Sequence, residues 1–283
     1  MLNSRETRLS AIRRRPRVRS LWVLCTTIAR GISPVLLMLL KIGCYGAALW
    51  AVWVGGIRFL HLPPYLVPPP ASVLASLEKL PRFYLRHAIV TMQEAGGGLM
   101  IGFAGGFVCG LLLRYGGPVG RALNPLILAS QVFPKEALAP ILLVFLGFGI
   151  LPKVVVAALI SFFPVAINTF RGLQATPVAH EQLMRVLGAN AWERFWRCHL
   201  PFSASHILAA LNVCATLSII GAVVGEFVGS SAGLGHVIRA ANADLGTDRV
   251  YAALLLLGII GSLFYGATLL IEYIFFRRFT GWK

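Results

Sequence analysis

Six ionisable side chains fall inside otherwise apolar runs of this 283-residue chain: Lys41, Glu94, Lys135, Glu136, Glu226 and Glu272. A charge at the centre of a bilayer costs about 2.5–3.5 kcal/mol on insertion scales, so each of them requires a partner, water or a task. Lys41, Glu94 and Glu272 lie within reach of the ends of their runs and are expected to snorkel or to pair. Lys135 and Glu136 differ. Pro134 and Pro140 interrupt the run around them and free backbone carbonyls that only a protein-lined or wet cavity satisfies. Two opposite charges at such a break could serve as a polar stepping point across a membrane. Glu226 ends the fifth apolar run, just before a Gly233-Leu234-Gly235 turn.

Other chemistries lack their residues. The chain has no G-x-x-x-x-G-K-[ST] and no Gly-Lys pair, so it cannot itself bind ATP in a P-loop. The histidines, His61, His87, His180, His199, His206 and His236, show no H-x-x-x-H or other compact ligand spacing. No Ser/His/Asp grouping forms a nucleophile motif, so neither a metal site nor a covalent catalytic step is expected. Cys25, Cys44, Cys109, Cys198 and Cys214 all fall in apolar runs or in segments expected on the cytoplasmic side, where no disulfide is expected.

The elements that must position these residues are membrane helices. Hydrophobic residues make up 57% of the chain and charged residues 13%, with a mean hydropathy of +0.77, whereas a soluble domain carries about 25% charged residues. Six stretches are long and apolar enough to cross: Pro34–Gly56, Ala88–Leu113, Pro125–Phe148, Val154–Phe170, Ser203–Val228 and Tyr251–Phe276. With the N-terminus inside, the cytoplasmic segments carry 17 Lys/Arg and the outer ones seven, so the bias favours both termini in the cytoplasm. The net charge of +16 is then explained by topology and anionic lipid, without nucleic acid. Residues 1–33, with RRRPRVRS near the end, have no cleavage site before the first span and read as a retained basic cytoplasmic tail ahead of a 34–283 membrane domain.

Two further patterns organise this domain. Gly98, Gly102, Gly106 and Gly110 recur every four residues, a smooth stripe that favours close intramolecular helix packing over a dimer seam. The stretch from Thr176 to Pro201 is amphipathic and too polar to span. Thr176 is expected to cap a helix with Pro177 in its first turn, running to about Leu187. Gly188 suits a left-handed turn, and Asn190 with Glu193 forms the start of a second short helix. Such a cationic helix–glycine–helix unit, greasy through Leu183, Met184, Leu187, Trp192, Phe195 and Trp196, would stand in the cytosol as a docking knob for a soluble partner.

The spacing of Gly188, nine residues, then Cys198-His199-Leu200-Pro201 resembles the E-A-A-x3-G-x9-I-x-L-P coupling loop of ATP-binding-cassette (ABC) importer permeases. Gly188, Leu200 and Pro201 match; the acidic and small positions fall on Gln182, Leu183 and Met184, with Glu181 one place away, and the isoleucine position falls on Cys198. PKEALAPILLVFLGFGILPK at 134–153 and GEFVGSSAGLGHVI at 225–238 resemble the nitrate/sulfonate/taurine and pyrimidine-precursor branch. The resemblance implies an all-α, type I importer permease with about six transmembrane helices, in a bacterial inner membrane. It further implies a homodimer with the pore between copies, two cytoplasmic ATPases that bind the ATP, and a periplasmic substrate-binding protein. Glu181, Gln182, Gly188, Ala189, Leu200 and Pro201 would couple to the ATPase, and Gln131, Lys135, Glu136 and Glu226 are the path candidates, Glu226 as a gate-proximal or scaffold residue. The solute would be a small anion or a pyrimidine-type heterocycle; GAVVGEFVGSSAGLG leans by similarity toward the heterocycle. An ion-coupled secondary transporter is the alternative, but it usually shows two repeated halves, and no repeat is evident.

The charge bias sets a topological expectation. In a chain cleared of its native cysteines, Ala189→Cys should react with impermeant thiol reagents only from the cytoplasmic side and Ser231→Cys only from the outer side. Opposite labelling would reverse the orientation.

Overall fold

The computed structural model describes residues 34–279, and the basic tail and Cys25 lie outside them. Among the described residues all regular structure is helical. Two compact units result: the chain to Leu62 and the chain from Pro63 onward. In the first, α1 runs Pro34–Leu60, the expected first span extended by a turn; the Lys41 side chain is outside the described set.

The second unit begins with α2 (Pro70–Lys79) and α3 (Pro81–Tyr115), both opening on a proline whose missing N–H costs nothing at a helix start. It continues through α4 (Gly117–Ala129), α5 (Ala139–Leu146), α6 (Leu151–Gln174), α7 (Val178–Val186), α8 (Ala191–Arg194), α9 (Leu200–Gly229), α10 (Leu234–Ala243) and α11 (Thr247–Phe279). Helix α3, α6, the α8–α9 run and α11 are each long and apolar enough to cross a membrane.

The third expected span is not one straight helix. Helix α4 with a 3₁₀ turn to Val132 and a second piece from Lys135 through α5 meet at an 85° bend. Pro134 causes it: it sits in an extended conformation, with φ −72° and ψ 98°, and offers no N–H to carry the ladder across. The span also begins earlier than expected, at Gly117, with Pro125 inside α4 instead of opening it.

The core is a layer of three helices with α6 at its centre. The glycine stripe packs α3 against α6 within the chain. A Cβ added to Gly102 would lie 2.5 Å from the Ala158 carbonyl oxygen, one on Gly106 2.5 Å from that of Phe162, and one on Gly110 2.5 Å from Thr169 Cβ. On the opposite side, Gly221 and Gly225 of α9 press on Ala157 and Lys153 of α6 in the same way. Ala157, Val165, Ala166, Cys214, Ala215 and Ala222 are fully buried between these layers. Helix α11 has most of its surface exposed.

The 176–201 segment departs from expectation at both ends. Pro177, in extended conformation, occupies the N-cap of α7, while Thr176 Oγ1 reaches back to the Leu173 carbonyl at 3.5 Å and satisfies the end of α6. The second short helix is not a separate element. Residues Phe195–His199 form a π turn that joins α8 directly to α9, giving one continuous helix from Ala191 to Gly229. Pro201 has no N–H for the Arg197 carbonyl, and the ladder accommodates that gap by shifting register, with Leu200 N–H donating to Phe195 O.

The stripe makes a graded expectation. Gly102→Ala should destabilise the protein by about 1–3 kcal/mol, because its methyl would meet α6 backbone that cannot move without separating the helices. Gly96→Ala, whose Cβ would meet only the Phe264 ring at 3.7 Å, should be close to neutral. Thermal unfolding in detergent compares the two, and equal stability would remove the close-approach argument.

Candidate functional sites

Three sets of residues carry the polar and exposed chemistry. The first is the tip formed by α7 and α8. Gly188 takes φ +74°, the left-handed conformation that lets the chain reverse, and its N–H is held by Arg185 O. Asn190 and Glu193 form a reciprocal capping box, with Glu193 N–H donating to Asn190 Oδ1 and Asn190 N–H to Glu193 Oε2, both at 2.9 Å. Glu181 accepts from Arg185 Nη2 at 2.7 Å, one turn along α7. That hydrogen bond holds the Glu181 carboxyl below its ordinary range. The pair therefore adds stability above the unfolded-state value and loses it as pH falls through the lowered one; with Arg185 63% exposed this amounts to about 0.3–0.5 kcal/mol.

The greasy residues of this tip face solvent: Val186 is 84% exposed, Leu187 70% and Trp192 68%. Trp196 packs edge to face on both Trp192 and Phe195, and Tyr115 of α3 packs on Phe195 and His199. Glu181, Gln182, Gly188 and Ala189 are thus gathered on the projecting tip. Leu200 and Pro201 are not; they lie partly buried at the start of α9. An exposed apolar patch of this kind marks an interaction surface, for a protein or for a membrane.

The second set surrounds the bend. Gln131 and Glu136 are exposed and Lys135 is partly buried. The two charges, adjacent in sequence, do not pair. Lys135 Nζ instead sits 4.7 Å from the centre of the Phe163 ring of α6, a cation–π contact. Lys135 and Glu136 both lie in the 3₁₀ turn Lys135–Leu138, where consecutive side chains point about 120° apart.

The third set was largely missed in the sequence. Lys153, expected in an outer loop, is buried within the first turn of α6 and donates to Glu94 Oε1 at 2.6 Å, with side-chain exposures of 6% and 0%. The helix begins three residues before the expected Val154, which draws the lysine into the bundle. Glu94 accordingly pairs and does not snorkel, and Glu272 is likewise satisfied, accepting from Asn212 Nδ2 at 2.7 Å. Glu226 has no exposed surface. It accepts from Thr91 Oγ1 at 2.6 Å and from Gly235 N–H. Thr91 Oγ1 accepts from Leu234 N–H at 2.8 Å, and His87 Nδ1 from Gly233 N–H at 2.9 Å. Helix α3 therefore pins the 233–235 turn through His87 and Thr91, one helical turn apart, with Glu94 three residues on. That spacing of polar residues along one face was the available signal.

Removing one partner of this ion pair should cost far more than removing both. Lys153→Met leaves Glu94 as an uncompensated buried charge and should destabilise by about 3–5 kcal/mol, whereas Glu94→Gln/Lys153→Met should recover most of that loss. Unfolding of the single and double variants in detergent measures the difference, and equal losses would mean the pair contributes nothing through charge.

Residues 102–281 match the sequence profile of the binding-protein-dependent transport system inner membrane component. The chain is 32% identical to the formylaminopyrimidine transport permease protein ThiX of Halalkalibacterium halodurans over 77% of its own length and 88% of that protein's. It is 31% identical to the riboflavin transport system permease protein RibX of Chloroflexus aurantiacus over 93% of its length and 94% of the relative's. Its fold resembles that of a chain in the inward-facing MetNI methionine ABC transporter, with a TM-score of 0.59 at 20% identity, covering 69% of this chain and 96% of that one. The chain belongs to the family of binding-protein-dependent transport system inner membrane components, as a multi-pass permease of the ABC importer class.

Proposed function

We propose that two copies of this chain form the pore of an ATP-driven importer, each with residues 34–283 in the membrane and both termini in the cytoplasm. The observation that carries the coupling half of this reading is the projecting tip: exposed Val186, Leu187 and Trp192 around the Gly188 reversal offer a soluble ATPase an apolar contact with a fixed shape. Glu181, Gln182, Gly188 and Ala189 form the contact, and Leu200 and Pro201 set the root of the lever behind it. ATP is bound and hydrolysed by that partner, and a substrate-binding protein delivers the solute on the opposite side. Because α8 is continuous with α9, a push on the tip travels along one 39-residue helix, about 58 Å from end to end, toward Glu226 and the turn it holds. Closure of the ATPases would thus move both ends of the bundle together.

The path runs beside the bend. Pro134 opens the helix there, and Gln131, Lys135 and Glu136 supply polar groups where freed carbonyls need water. Val132 before the bend and Val144, Phe145 and Phe148 at the far end of α5 are all strongly exposed and give the second copy a surface to pack on. Glu226 acts as scaffold at the outer end. The relatives named for formylaminopyrimidine and riboflavin support a small polar nitrogen heterocycle as solute, selected by the binding protein.

Two variants of the intact permease, each assayed for ATPase capture and for uptake, test the two halves. Gly188→Val should abolish both, since a β-branched residue resists a φ of +74°. Lys135→Met should keep capture and lose uptake, and Lys135→Met/Glu136→Gln separates charge imbalance from loss of the site. Undiminished capture by Gly188→Val would remove the coupling assignment. Wild-type uptake by both Lys135 variants would remove the charged path.

A further inference from the structure

At the corner where α3 ends, α4 begins and α6 ends lies a cavity of about 410 Å³, within the size range of small-ligand sites. Its polar lining comes from Arg114, Arg121, Asn124 and Gln174, backed by the Phe170 ring and Gly120. The lining contains no acidic residue. Among the described residues neither arginine enters an ion pair, and Arg114 Nε is buried without a hydrogen-bond partner. Arg114 itself is held in place, its guanidinium 5.6 Å from the centre of the Tyr115 ring, and that ring packs on Phe195 and His199 at the base of the α7–α8 tip. Helix α4 adds to the field: its first turn has neither a side-chain cap nor an acidic residue, and Gly117 and Gly120 of that turn line the cavity.

Two guanidinium groups leave as many as ten N–H donors to be satisfied in and around this corner, and the amides of Asn124 and Gln174 bring both donors and acceptors. Glu181 lies close enough for its charge to be felt at Arg114, but among the described residues no acid forms an ion pair with either arginine. Glu181 is occupied by Arg185 and Glu193 by its own capping box. Two guanidinium groups without a carboxylate partner at one corner match an acceptor with several oxygens and negative charge, and the planar arginine fork suits a phosphate group.

We propose that this cavity is a binding site for a phosphate group, at the end of the bundle that carries the coupling tip. The group is either the headgroup of an anionic phospholipid or a free phosphate. Bound there, it would tie the end of α3 to the start of α4 and stiffen the base on which Tyr115, Phe195 and the tip rest. The site uses none of the residues assigned to docking or to the path, so it stands or falls separately from them.

The test uses the full-length permease, with binding followed by thermal unfolding and direct titration. The probes are inorganic phosphate on protein in neutral detergent, and reconstitution into discs of phosphatidylcholine with or without phosphatidylglycerol. Arg114→Gln and Arg121→Gln should each weaken saturable binding about tenfold, the effect of losing one charge-assisted hydrogen bond of about 1.4 kcal/mol. Arg197→Gln, an equal loss of charge on an exposed residue outside the cavity, should leave it unchanged. Should Arg114→Gln fail to fold, Arg121→Gln carries the test alone, since Arg121 is exposed. Arg121-dependent binding of inorganic phosphate would identify a free phosphate; Arg121-dependent stabilisation by phosphatidylglycerol alone would identify a lipid headgroup. The proposal is overturned if neither probe binds saturably, or if Arg121→Gln weakens binding no more than Arg197→Gln.

Discussion

The close approach of α3, α6 and α9 is the constraint on which the rest of the molecule depends. In hydrocarbon the lipid is as apolar as the side chains, so helices gain little by hiding from it and associate through dense contact between backbones. Gly102 and Gly106 let α3 approach carbonyl oxygens of α6, while Gly221 and Gly225 let α9 do the same from the other side. With α6 held so tightly, Lys153 at its first turn has nowhere to go but inward. Its charge becomes tolerable only because α3 presents Glu94 at the matching height. Packing and polar satisfaction are therefore coupled: the helices that approach most closely also supply the partners for the buried charges.

That rigid layer contrasts with the places where the helical ladder is interrupted. Pro134 breaks it by 85°, Pro201 distorts it into a π turn, and Gly188 reverses it altogether. Each interruption uses a different device, and each lies beside residues with a proposed task. A straight helix in lipid satisfies all its own backbone groups and offers none to a solute or a partner. Function at membrane depth needs the ladder opened, and function at the surface needs a projecting tip of fixed shape. The π turn joins the two needs, because it preserves a continuous helix from the exposed tryptophans to the buried Glu226.

The outer end of α9 shows how that continuity is terminated. Glu226 spends both carboxylate oxygens on the neighbouring turn and on Thr91, and His87 accepts from the turn as well. Gly233 is required there, since its φ is +103° and the Glu226 carboxylate fills the space a Cβ would need. The stretch from Gly225 to Ile238, conspicuous in the sequence for its glycines and its lone acid, is thus a knot tying α10 to α3 and α9.

The class of molecule, the apolar helices, the glycine stripe, the Gly188 reversal and the Asn190–Glu193 cap were legible from residue order alone, because these depend on composition and on spacing within a few residues. Turn chemistry and hydrophobic runs are local, and local rules read them correctly. The sequence misjudged what depends on which residues meet across the bundle. Lys153 looked like a loop cation, and the second short helix looked separate from the span that follows it. Packing across the bundle settled these points. Pairing of Lys153 with Glu94 joins residues 59 positions apart, and Lys135 meets the Phe163 ring of another helix instead of the acid next to it in the chain. A charge in hydrocarbon takes the partner that packing brings to it, and sequence distance carries no information about that.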